Sequence, residues 1–164
     1  MELKIQNKAK NIDYKICRLA IEFFANHLIS PRLLNNIKIK VVFGTDDLDK
    51  KDYAEIWVKD EKYRVFNIYI KPNLSYKNTI KCIAHEMVHL KQFSTGEMKC
   101  MANGNKVKWC SKNDVEIFDN DKVDYWFTPW EIEAHGKELG MYYHFKKYRK
   151  SMEKGEEYEF EGCF

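Results

Sequence analysis

Residues 85–89 read His-Glu-Met-Val-His, inside a helical-looking run whose other members, Ile80, Ile83, Ala84, Met87, Val88 and Leu90, are apolar. A helix that buries this apolar surface also takes two imidazoles and a carboxylate out of water. That is costly unless each polar group finds a partner. Residues i and i+4 stand on one helical face, one turn apart. The rings of His85 and His89 can therefore reach one cation at about 2.0–2.1 Å. Glu86 projects from a neighbouring angle, where it can hold a water instead of the ion. The two parts serve one reaction: a metal lowers the pKa of its water towards about 7, and a carboxylate takes the proton as the water attacks. The competing reading is a hydrogen-bonded pair of core histidines.

A catalytic zinc usually takes a third protein ligand. The segment Pro129-Trp-Glu-Ile-Glu-Ala-His-Gly136, which begins forty residues after His89, offers Glu131, Glu133 and His135. Glu133 lies roughly 200° around a helix from Glu131 and is the poorest of the three. Thr128-Pro129-Trp130-Glu131 also reads as a capping box with proline in the first turn. That role would tie the Glu131 carboxylate to a helix start. His135 reads equally as a half-exposed surface histidine, so the residues alone leave the third ligand open.

The stretch from His85 to Gln92, taken with Pro129 to Gly136, resembles the gluzincin division of zinc peptidases. It also resembles small SprT-like and ImmA/IrrE-type metallopeptidases, including phage-encoded ones. The likeness covers roughly residues 37–150, and only the two motifs are specific. It implies a minimal zincin-like domain that hydrolyses peptide bonds with one Zn2+ ion. His85, His89 and Glu131 would hold the ion, Glu131 because it stands three residues before Ala134, and Glu86 would be the general base. The chain departs from the pattern at His135, where gluzincins usually place Asp or Asn to orient a zinc-bound histidine. A histidine third ligand is the SprT-like habit, so His135 is the rival to Glu131.

The rest of the chain predicts a small α+β domain over residues 1–152. Apolar residues at helical spacing from Ile12 to Leu28 predict a first helix ended by Ser30-Pro31. Strands are expected at 37–43, 54–58 and 63–70, with Gly44 to Asp47 as a turn and 59–62 as a hairpin loop. Ser75 is the expected N-cap of the motif helix, 76–93, which Thr95-Gly96 stops. Two short strands, 106–110 and 115–118, flank Ser111 to Asp114, and a last helix runs from 129 to about 150. The expected sheet is small and mainly antiparallel. Residues 153–164 carry five glutamates against one lysine and read as an acidic tail.

A chain of 164 residues, 45% hydrophobic and 32% charged, is neither disordered nor low-complexity. No apolar run is long enough for a membrane span, and Met1 leads into no signal-peptide stretch, so a cytoplasmic protein is expected. Five cysteines without a CxxC pair predict free thiols. Cys100 and Cys110 could still meet across a hairpin, as a disulfide or as half of a metal site. The resemblance implies an extended polypeptide substrate, with strand 65–70 either the edge that pairs with it, as is frequent in zincins, or an ordinary sheet strand. Tyr125, Tyr142, Tyr143 and His144 are candidates to stabilise an oxyanion. Trp109, Trp126 and Trp130 are candidates to line a pocket. Two other classes stay open: a metal-binding regulatory or interaction module without turnover, and a nucleic-acid-associated protease recruited through Lys146, Lys147, Arg149 and Lys150. A net charge of +3 is too weak and too evenly spread to argue for the latter by itself.

Overall fold

Strand-period and helix-period segments alternate along the chain. The computed structural model describes residues 1–9, 12–45, 48–49, 52–101, 105–112 and 114–158. The expected turn residues Asp46 and Asp47, the loop residue Asn113 and positions 159–164 with Cys163 lie outside them. The strands are β1 (Glu2–Asn7), β2 (Lys38–Phe43), β3 (Ala54–Val58), β4 (Val65–Ile70), β5 (Met98–Cys100), β6 (Lys106–Cys110) and β7 (Val115–Asp119). The helices are α1 (Tyr14–Leu28), α2 (Pro31–Leu34), α3 (Tyr76–Thr95) and α4 (Pro129–Lys154), with a 3-10 turn at Tyr125–Phe127. This is an α+β architecture, as the sequence led us to expect.

Three of the five strand pairings are antiparallel, but the sheet that carries the site is mixed. Its order is β1-β2-β4-β3, and both β1–β2 and β2–β4 are parallel. The expectation of a mainly antiparallel sheet missed β1, where only Leu3 and Ile5 supply an alternating apolar signal. Helix α1 connects β1 to β2, and such a crossover is what a parallel pair requires. The strand expected from Tyr63 starts at Val65. Tyr63 adopts φ +53, and the Asp60 carboxylate accepts from the Arg64 and Val65 amides, so Tyr63 and Arg64 belong to the turn.

The same topology moves the sheet edge. Strand β4 lies between β2 and β3, so residues 65–70 do not form the edge strand anticipated for a substrate; β3 does. Alternate residues Ile39, Val41 and Phe43 of β2 and Phe66, Ile68 and Ile70 of β4 join Ile21, Phe24, Ile80, Ile83 and Met87 in one core. Helix α3 packs most extensively on α4. Ser75 caps α3 by accepting from the Asn78 amide at 3.2 Å, and Gly96 ends the helix at φ +83, a conformation that favours glycine. The stretch read as an acidic tail first continues α4 to Lys154. Gly155 turns the chain, and Tyr158 then packs against Phe23 and Tyr148 and bonds to His144.

Phe24 is fully buried, with its ring 5.7 Å from that of Phe145. Phe24→Ala should destabilise the fold by about 3–5 kcal/mol. Urea unfolding checks this, and an unchanged midpoint would contradict the core assignment.

Candidate metal centre

The site forms where the middle of α3 meets the start of α4. The Ser75 cap and the apolar face of α3 fix the helix, and His85, Glu86 and His89 all lie on its buried side. Trp130 and Ala134 of α4 are buried against the core, which turns Glu131 towards the same spot. His85 Nε2 and His89 Nε2 face each other at 3.0 Å. Glu131 Oε2 lies 3.3 Å from His85 Nε2, and Glu131 Oε1 lies 3.4 Å from His89 Nε2. Ligand atoms of these three buried residues fall within 4.8 Å of one another.

The partners of the two rings fix where their protons sit. Gln92 Nε2 donates to the Trp130 carbonyl at 3.0 Å and to Glu133 at 2.9 Å, leaving Gln92 Oε1 free to accept. That oxygen lies 2.8 Å from His89 Nδ1, which must donate to it. His85 Nδ1 meets Glu138 Oε2 at 3.2 Å, and a carboxylate can only accept. With both Nδ1 protons committed, both neutral Nε2 atoms carry lone pairs and face inward beside the Glu131 oxygens. Atoms so arranged repel unless a cation or a proton lies among them. Two imidazoles and a carboxylate, each braced from behind, suit zinc.

The charges respond accordingly. Burial alone would lower the His85 pKa, but hydrogen bonds to Glu131 and Glu138 outweigh it and push the ring up to about 10. Burial alone would raise Glu131, yet the His85 and His89 rings and the hydrogen bond from Tyr125 hold it well below the usual carboxylate range. A cation bound here would displace the proton. Glu86 is buried beside the two histidines. Burial pushes its carboxyl up, which suits a group that accepts a proton.

Neither half of the expected capping box forms. Thr128 Oγ1 donates to the Tyr125 carbonyl at 2.8 Å and leaves the first-turn amides uncapped. Glu131 instead accepts from the Tyr125 hydroxyl at 2.7 Å. Burial and the Glu131 charge push the Tyr125 phenol up, so it stays a donor. Of the oxyanion candidates, only Tyr125 lies here: Tyr142 is buried in the core, Tyr143 is exposed and His144 bonds to Tyr158. Trp130 packs edge-on to Phe118, Trp109 lies against Trp130, and exposed Trp126 leans on His135 at 4.8 Å.

His135 does not take the orienting place that its position in the motif implied. Glu138 takes it, seven residues after Glu131 and so two turns along the same helical face. Gln92 does the same for His89 from one turn away. Helical spacing could have flagged both, but neither belongs to the motif. Glu133 points elsewhere, to Lys91 at 2.9 Å and Lys137 at 2.7 Å. Cys17, Cys82, Cys100 and Cys110 are free thiols, and no cysteine joins a ligand group among the described residues. In the basic run Arg149 is tied to Glu153 and Tyr76. No helix among the described residues is long and apolar enough to cross a membrane. No family model, curated protein or solved structure matches the chain.

Gln92→Ala and Glu138→Ala should each weaken zinc binding by about 10–100-fold with the fold intact, as read by competition with a chromophoric chelator. Unchanged affinity would contradict the bracing roles. Burial alone would raise Glu133, but hydrogen bonds from Lys137, Gln92 and Lys91 hold it at about 2, below its ordinary 4.5. Its stabilising effect is thus present above pH 4.5 and lost as the pH falls towards 2. Glu133→Gln should lower the urea midpoint at neutral pH and change it little near the acid end of that window. An equal loss at both would contradict this.

Proposed function

We propose that the protein is a zinc-dependent metallopeptidase that hydrolyses an extended polypeptide with Glu86 as general base. The observation that carries the reading is the inward-facing set of His85 Nε2, His89 Nε2 and the Glu131 oxygens beside a buried Glu86. A zinc ion held by His85, His89 and Glu131 would supply Lewis acidity, activating a water and polarising a carbonyl. Glu86 takes the proton of the attacking water and returns it to the leaving amine. Burial raises its proton affinity, so the transfer is closer to balanced than with an exposed carboxylate. The Tyr125 hydroxyl is half-exposed at the mouth, and it can turn from Glu131 to donate to the oxyanion of the tetrahedral intermediate.

The sheet edge supports a polypeptide substrate. Strand β3 pairs only with β4 among the described residues, leaving a row of backbone donors and acceptors on its other side. Strand β3 packs against α3, the helix that carries Glu86. A substrate strand added to β3 would run its backbone past the metal ligands.

Zinc-loaded protein should cleave an unfolded polypeptide, and Glu86→Gln should lower the rate about 10²–10⁴-fold while still binding zinc. Tyr125→Phe should lower kcat by about 10²–10³-fold. Equal cleavage by wild type and Glu86→Gln would remove Glu86 as base. Absence of cleavage at full zinc occupancy would leave a metal-binding module without turnover.

A further inference from the structure

Among the described residues, one buried side-chain polar atom lacks a hydrogen-bond partner: His135 Nε2. It lies 3.8 Å from Glu131 Oε2, on the oxygen that also meets His85. The His135 ring tilts over His85 with centroids 4.5 Å apart, and Trp126 backs it at 4.8 Å. Its other nitrogen, Nδ1, is 3.5 Å from Glu138 Oε2. That same oxygen meets His85 Nδ1 at 3.2 Å. The Glu138 oxygen accepts from His85 Nδ1 and faces His135 Nδ1, and the Nε2 atoms of both rings lie on the side of Glu131. A buried imidazole lone pair without a donor is the arrangement a metal ligand needs, and a carboxylate behind the ring is its usual support.

We propose that His135 is a fourth, displaceable ligand of the ion held by His85, His89 and Glu131. This rests on the metal reading above. The difference between His135 and the other rings is access. Its side chain is 35% exposed, against 11% for His85 and 8% for His89. It also falls into a separate group with His85 and Glu138, not into the group that contains His89. His135 reaches the ion by a swing of its ring. Swung in, it completes four protein donors, the closed arrangement typical of structural zinc. Swung out, it frees the position that a water or a substrate carbonyl needs. His135 thereby gates the centre, holding the ion at rest and yielding to the substrate.

The test titrates metal-free wild type and His135→Ala with cobalt(II) and with zinc. Expected results are one ion per chain, a change in the visible cobalt bands of the variant, and affinity weaker by on the order of tenfold to a hundredfold. Added imidazole should restore the wild-type bands. Identical affinity and bands in the two proteins would overturn the role of His135 while leaving the other three ligands standing. Two ions per chain, with the second lost in His135→Ala, would overturn it in favour of a separate site. No ion bound by wild type would overturn the metal reading itself.

Discussion

Two imidazole nitrogens 3.0 Å apart, each with its ring proton committed elsewhere, cannot satisfy one another. Gln92 and Glu138 impose that condition from outside the centre, and Glu131 adds carboxylate oxygens where further lone pairs are least welcome without a positive charge. Hydrogen bonds to Glu131 and Glu138 raise the His85 pKa despite burial, so a proton there relieves the conflict. A divalent cation relieves it more fully, since all three inward groups are acceptors. The rest of the site follows from keeping this cluster in place and dry.

Helices α3 and α4 do that work together. Trp130 and Ala134 bury one face of α4 against the core, and the backbone of Trp130 accepts from Gln92. The same Gln92 then reaches His89 on one side and Glu133 on the other. Lys91 joins Glu133 to Glu97 at the end of α3, so the clasp extends past the ligands to the second sheet. The mixed sheet leaves β3 at its edge, packed against α3.

Much of this was legible in the sequence, and the misses have physical causes. His85, Glu86 and His89 announce themselves because their spacing has one geometric meaning on a helix. The motif helix, its Ser75 cap, β2, β3 and the start of α4 carry clear periods. Strand β1 offers only Leu3 and Ile5, too few to mark a strand, and strand order across a crossover is not written in any local pattern. Local pattern offered Glu131 both as a ligand candidate beside His135 and as a helix cap, so only resemblance favoured it. In the fold Thr128 donates to the Tyr125 carbonyl, and Glu131 accepts from the Tyr125 hydroxyl instead of capping the helix. Gln92 and Glu138 escaped notice because what they do depends on α3 and α4 lying together, and only tertiary packing decides that.

X-ray absorption at the zinc edge of the purified, metal-loaded protein tests the central claim most directly. The account predicts one zinc per chain in a shell of nitrogen and oxygen scatterers at about 2.0–2.1 Å, with the outer-shell features of imidazole. A shell dominated by sulfur near 2.3 Å, or a chain that retains no zinc after gel filtration, would contradict it.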